Sequence, residues 1–312
     1  MIVPDKKDEP LTERRKPMQS AREYNPRQIL VPLDMSELSD LSLKYAHVGA
    51  QVFDADITVL NAMHFEYPRY LSAEVTDRIL KELKRSETDA RRHLAEHVRR
   101  VLGEASRKSN INYQVVDIDP ARAILRASED IKADLIVMGT HGYSGLKHWM
   151  LGSVTEKILH LSKTPVFTIR QKINGFIDTA DPDARPEIKH ILCPCNLSPS
   201  AAAALQTASS LAEQMAARLV VLFCTDSNDA SEKDRLAAWV EETLQRKPSI
   251  DLLIRHGEAA EQTIAEAGRL DSDLIVIGIC HRPFGEGSVV GRTTEKVARY
   301  APVPVLAIPY FM

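Results

Sequence analysis

The stretch Asp134-Leu135-Ile136-Val137-Met138-Gly139-Thr140-His141-Gly142, followed by Gly152-Ser153 and then Val154 to Leu161, decides how this chain reads. Leu135 to Met138 has the unbroken apolar character of a strand buried on both faces. Val154 to Leu161 has the spacing of a short helix. A buried strand, a glycine loop and a helix start together form a geometry that suits phosphate. Glycine lets backbone N–H groups approach an anion, and the helix N-terminus adds partial positive charge. Ser153 contributes a hydroxyl donor. A βα turn that needs glycine only for its dihedrals is the plainer alternative; the spacing, the flanks and the Gly-Ser at the helix start favour a site.

Outward from this stretch, short apolar strands alternate with helices. Gln28 to Asp34 is a strand ending in a carboxylate, and Ser36 opens a helix with Leu38, Leu41, Tyr45, Val48 and Val52 on its apolar side. Ile57 to Leu60 is the second strand. Ala73 to Leu102 reads as a long charged helix, with Ile79, Leu83, Leu94, Val98 and Val101 inward. Ile111 to Ile118 is the third strand, and Pro120 opens a helix carrying Ala123, Ile124 and Ala127. Pro165 to Ile169 is the fifth strand. This alternation predicts a parallel α/β sheet covered on both faces, with right-handed crossovers and a ligand crevice at the carboxyl ends of the strands.

The pattern then repeats. His190 to Ser198 parallels Gln28 to Ser36, Ala217 to Leu222 parallels Ala55 to Leu60, and Asp273 to Gly278 parallels Asp134 to Gly139. Thr294-Glu295-Lys296 parallels Thr155-Glu156-Lys157, and Pro304 to Ile308 parallels Pro165 to Ile169. The second copy is shorter in the connection after its second strand, where the first has its long helix. Expected boundaries are a mobile, charged tail over 1–26, a first domain over 27–170, a linker over 171–187 and a second domain over 188–312. The two copies are expected to form a pseudo-two-fold pair joined partly through Val166 to Ile169 and Val305 to Ile308, which are otherwise exposed apolar edges.

At Val137 to Lys157, closing with Thr164 to Ile169, the chain resembles the universal stress protein family, whose ATP-binding members carry G-x2-G-x9-G-S/T. Gly139, Gly142, Gly152 and Ser153 match that pattern. The resemblance covers both halves, leaves out only tail and linker, and is that of a tandem member. It implies two flavodoxin-like/Rossmann-like doubly wound five-stranded domains of the adenine nucleotide alpha hydrolase-like kind. It also implies ATP as ligand, with Mg²⁺ on the phosphates. Carried over, Asp34 faces the adenine, Pro32 and Ala62 line the base, and Met138 and Gly139 flank the ribose and phosphates. Gly142, Gly152, Ser153, Val154 and Thr155 form the phosphate cradle. A carboxylate at 34 accepts from an exocyclic amine; its alternative role is as a helix N-terminal charge.

The second copy departs from the pattern. Asn196 stands for Asp34, His281 for Gly142 and Arg292 for Ser153, while Gly278 and Gly291 remain. That half is expected to have lost or altered ATP binding. Cys195, Cys280 and His281 lie where a thiol or metal site is conceivable; thiols packed inside with His281 in a loop is the favoured reading.

The 312 residues carry a net charge of −3, which gives no marked preference for polyanions and makes nucleic acid an unpromising partner. No apolar run has the length of a membrane span, and no signal-peptide core is seen near Met1, so a cytoplasmic location is expected. The four cysteines form no C-x-x-C pair. Walker A, nucleophile-elbow and zinc-protease motifs are all missing, so no catalytic or metal residue is assigned. Lys147 and His148 read as solvated loop residues. The leading function is an ATP-binding stress-response or regulatory module that acts on an unknown regulatory protein, either as this intramolecular pair or as a homodimer. A slow ATPase or phosphoryl-transfer enzyme, and a nucleotide-independent interaction protein, stay open.

Overall fold

The structure, a computed structural model, describes residues 23–62, 73–141, 151–171, 175–181, 184–227, 229–244, 249–284, 287–289 and 291–311, without the side chains of 73–86 and 281–289. Its first half runs β1 (Gln28–Pro32), α1 (Glu37–Phe53), β2 (Asp56–Ala62), α2 (Ala73–Leu102), β3 (Ile111–Val116), α3 (Pro120–Asp130), β4 (Leu135–Gly139), α4 (Ser153–Leu161) and β5 (Val166–Ile169). The second runs β6 (His190–Cys195), α5 (Pro199–Met215), β7 (Arg218–Cys224), α6 (Ser231–Thr243), β8 (Ile250–Arg255), α7 (Ala259–Arg269), β9 (Leu274–Phe284), β10 (Gly287–Val289), α8 (Arg292–Tyr300) and β11 (Val305–Phe311).

Among the described residues these strands form one sheet in the order β3-β2-β1-β4-β5-β11-β9-β6-β7-β8, with β10 hairpinned onto β9. Each half therefore has the Rossmann-like order, and its switch point lies between β1 and β4, or between β6 and β9. Apart from the antiparallel β9–β10 hairpin, pairing is parallel within each half. The halves meet where β5 and β11 run antiparallel, with Phe167 opposite Leu306. Each strand covers an apolar edge that the other would leave bare.

Strand alternation sorts the core into two layers. Ile29, Val31, Ile57, Val59, Val137 and Phe167 face one side, and the corresponding residues of the second half continue that cluster. Leu30, Leu60, Ile136 and Met138 face the other, against α3 and α4, and that cluster also runs on into the second half. Both cores thus extend across the seam.

Helix α1 is buried differently from the expected stripe. Leu38, Tyr45 and Val48 are buried and Leu41 is half-buried, but Val52 is 38% exposed while Leu43 and Ala46 are fully buried. The helix is covered by α2 as well as by the sheet, so its buried face is wider than one stripe. On α2, Leu94 and Val98 are buried and Val101 is half-buried; Ile79 and Leu83 lie outside the described side chains. The third strand stops at Val116, because Asp119 caps α3 by accepting from the Arg122 N–H at 3.1 Å.

Tyr24 and the described part of 171–187 make contacts with both halves or with the core. The Tyr24 N–H donates to Ser210 Oγ at 2.8 Å, and Gln214 donates to the Tyr24 carbonyl at 2.9 Å. The Tyr24 ring meets Phe53 edge-on, so this residue ties α5 of the second half to α1 of the first. In the linker, Phe176 packs edge-on against Tyr45, with ring centroids 5.1 Å apart, and against Phe167 at 6.1 Å. Aromatic rings bury too much apolar surface to stay in solvent when a core edge is within reach.

A buried ion cluster braces the outer layer of the second half. Glu266, 5% exposed, accepts from Arg255 Nε at 2.6 Å and from Arg269 Nε at 2.7 Å. Burial pushes its pKa upward, but the hydrogen bonds and charges of Arg269 and Arg255 outweigh this and hold it below the usual glutamate value. A depressed folded-state pKa adds stability above the unfolded value, and that stability is lost as pH falls through the folded one. Glu266→Gln is expected to cost about 2 kcal/mol at neutral pH. The gap from wild type should close as pH drops below the ordinary glutamate range. Urea titrations across pH check this, and a pH-independent gap would show that the charge is not the cause.

Candidate functional site

A cavity of about 310 Å³ opens outside the carboxyl ends of β1 and β4, at the switch point. Its lining includes Pro32, Asp34, Ala62, Met138, Gly139, Gly152, Ser153, Val154 and Thr155. Residues drawn from β1, β2, β4 and α4 are thus brought to one place. Gly142, together with Lys147 and His148, lies outside the described residues.

The site is assembled locally. Asp34 follows β1, and its Oδ1 accepts from the Ser36 N–H at 3.1 Å and the Ser36 hydroxyl at 2.6 Å. Ser36 in turn caps α1 through the Ser39 N–H. The helix-charge alternative for Asp34 is therefore only partly met: Ser36 is the cap, and Asp34 braces it. Met35 between them adopts φ 63°, a left-handed conformation unusual for its type, which turns the chain from strand into helix.

Helix α4 starts differently from α1 and α3. Its N-cap is Gly152, which has no side chain to cap it, and the first bond of the helix runs from Glu156 N to the Gly152 carbonyl at 2.9 Å. The amides of Ser153, Val154 and Thr155 are left without an intrahelical acceptor, and all three residues line the cavity. Three such amides with a helix dipole behind them form an anion site.

Three of these residues are also engaged within the protein. Gly152 donates its N–H to the Thr140 carbonyl at 2.7 Å, closing the loop on itself. The Thr155 hydroxyl donates to the Gly139 carbonyl at 2.8 Å, so Thr155 offers a ligand its amide alone. Gly139 is glycine because of packing: a Cβ there would lie 2.6 Å from Leu38 Cγ. None of these commitments is visible in a glycine count. The cavity also gathers Leu33, Ser39, Leu60, Pro120, Ile124 and His141, which carried no motif. His141 is the one whose position after Gly139 could have marked it.

The second half keeps the same cavity, at about 370 Å³, lined by Pro194, Cys195, Asn196, Ala201, Ala259, Ile277, Gly278, Cys280, Gly291, Thr293 and Thr294 as well as Ser200. His281 is not in a loop. Strand β9 continues through it to Phe284 and turns back as β10, and His281 pairs with Phe311 of β11. The first half ends its equivalent strand at Gly139. Cys195 and Cys280 both reach this cavity. Among the described residues, however, no group of three or more ligating side chains is placed to hold a metal ion. Burial pushes the Cys195 thiol up to about 12 and Cys224 up to about 11, values at which a thiol is poorly nucleophilic. No helix among the described residues is long and apolar enough to cross a membrane.

Comparison with known proteins agrees with the repeat. The sequence profile of the Universal stress protein family matches residues 25–170 and again residues 187–309. A universal stress protein of Mycolicibacterium smegmatis is 26% identical over 313 residues, 93% of this chain and 99% of its own. One from Methanocaldococcus jannaschii is 30% identical over 145 residues, 46% of this chain and 82% of its own. The crystal structure of a universal stress protein from Archaeoglobus fulgidus DSM 4304 shares the fold, with a TM-score of 0.67 and 22% identity over 94% of this chain and 99% of that one. Matched twice in tandem, this chain belongs to the universal stress protein family.

Proposed function

We propose that the first half, over 27–170, binds one ATP and that the protein acts as a nucleotide-responsive regulatory module in the cytoplasm, read by a partner protein. The observation that carries this is the joint lining of one switch-point cavity by Asp34 and by the uncapped amides of Ser153, Val154 and Thr155. Asp34 supplies an acceptor for the adenine amine. Pro32, Ala62 and Met138 supply apolar walls, and the α4 amides meet the phosphates. Among the described lining residues Asp34 is the lone carboxylate, so Mg²⁺ would be carried by the phosphates and water. The second half, over 188–312, is proposed not to take ATP.

Mass spectrometry of nucleotide released from the purified chain tests this first. Calorimetry then tests the residues. Gly142→Val is expected to abolish ATP binding by placing a side chain where backbone must meet phosphate. Asp34→Asn keeps the brace on Ser36, as Asn196 does in the second half, removes the charge and puts an amide N–H donor in place of a carboxylate oxygen. It should lower the preference for ATP over GTP about tenfold, the worth of a charged hydrogen bond. Unchanged affinity in Gly142→Val would remove the loop from the site.

A further inference from the structure

A cavity of another kind lies at the seam between the halves. Its volume is about 70 Å³, and its walls include Tyr45 and Val48 of α1, Leu211 and Met215 of α5, Leu306 of β11 and Phe176 of the linker. It belongs to the core layer that α1 and α5 cover, and it shares no described residue with either switch-point cavity. Among its described lining residues none carries a charged side chain. Val52, the residue of α1 left 38% exposed, is part of this wall and brings it to the surface.

Tyr24 also lines this cavity. Its backbone is tied to α5 and its ring to Phe53, yet its hydroxyl is buried with no hydrogen-bond partner among the described residues. Asp134, the charge that bears on it, spends Oδ2 on the N–H groups of Arg27 and Gln28. The other hydroxyl in the wall, on Tyr45, is bonded to the Phe176 backbone. A buried donor left unpaired is costly. Water does not relieve it, because a buried water needs about two to four polar partners and this wall offers a single free hydroxyl. Gly49 points the same way. Glycine weakens a helix interior, and α1 carries one at the wall of this cavity. Packing does not demand it, since within 4 Å a Cβ there would meet only Ile29 Cδ1, at 3.8 Å. The side chain left out at 49 leaves the cavity larger.

We infer that this cavity is a binding site for a short-chain aliphatic carbonyl compound, whose oxygen accepts from the Tyr24 hydroxyl and whose alkyl part lies between α1 and α5. The carbonyl follows from the hydroxyl: an acceptor-only group satisfies the O–H and brings no donor of its own to be buried unpaired. The size follows from the volume. An apolar cavity of about 150 Å³ holds benzene, so one of about 70 Å³ holds about three or four non-hydrogen atoms, and the exposed side at Val52 lets a chain continue outward. Because the walls come from both halves and from the linker, the ligand bears on the seam itself.

The test uses the full chain with methyl-labelled methionine and follows Met215 by NMR. It titrates butanone and the hydrocarbon isostere in which a methylene group replaces the oxygen. A saturable shift of the Met215 methyl is expected, with butanone preferred about fivefold, the worth of one neutral hydrogen bond. Tyr24→Phe should abolish that preference without lowering the urea midpoint, because it removes an unpaired hydroxyl. Gly49→Ala should weaken both ligands several-fold by taking up volume. The absence of a saturable shift, or equal affinities in the wild type, would overturn the inference. So would a clear loss of stability in Tyr24→Phe, which would show that the hydroxyl has a partner inside the protein. None of these outcomes touches the nucleotide reading of the first half, whose cavity is separate.

Discussion

Gly278→Ala is expected to destabilise the protein by about 3 kcal/mol, the upper range for overpacking a core. A Cβ at Gly278 would lie 2.2 Å from the Ser200 carbonyl oxygen and 2.5 Å from its carbon, so backbone meets side chain. The first turn of α5 sits directly on β9 there, and neither element can shift without opening the core that both halves share. The equivalent change in the first half, Gly139→Ala, meets the Leu38 side chain instead, which can rotate; its cost should be about 1 kcal/mol. Urea denaturation of the two variants compares them. Equal losses would mean that the α5 start is less closely held than its geometry shows.

Phe167→Ala is expected to cost about 3 kcal/mol, as for other buried Phe truncations. Phe167 is 8% exposed on β5, at the seam with β11, and its ring lies 5.7 Å from Tyr45 and 6.1 Å from Phe176. Its loss takes away part of the seat of Phe176, so the segment from 171 to 187 should be cut sooner by protease. Limited proteolysis with mass mapping reads this, and Phe176→Ala should give the same early cut with a smaller loss of stability. A Phe167→Ala protein cut at the wild-type rate would show that the linker is held elsewhere.

Much of the architecture was legible because it depends on local rules. Buried strands such as Leu135 to Met138 announce themselves by unbroken apolar runs, and the tandem repeat follows from matched strands at Asp34 and Asn196, Gly139 and Gly278. The pairing of Val166 to Thr168 with Val305 to Ala307 followed from the need to cover two apolar edges. What misled were features whose reason lies elsewhere in the chain. Val52 fits an apolar stripe, yet α2 wraps α1 from another side and the stripe is not the whole buried face. Tyr24 sits in a polar context and is placed by Ser210 and Gln214, far along the sequence. His281 stands three residues after Gly278, where a loop was expected, but its strand is prolonged beside β11, which runs to Phe311.

The sequence by itself determined the fold class, the two copies and most of the residues that line the first cavity. These depend on periodicity and on residue identity, which are carried by the chain alone. Only the tertiary structure decided what each of those residues has left to offer a ligand. Gly139 answers to Leu38, the Gly152 amide to Thr140 and the Thr155 hydroxyl to Gly139, while the amides of Ser153 and Val154 start a helix whose N-cap, Gly152, has no side chain to offer them. A hydrogen-bonding group serves a site only with the capacity its own neighbours do not use, and those neighbours are assembled by folding.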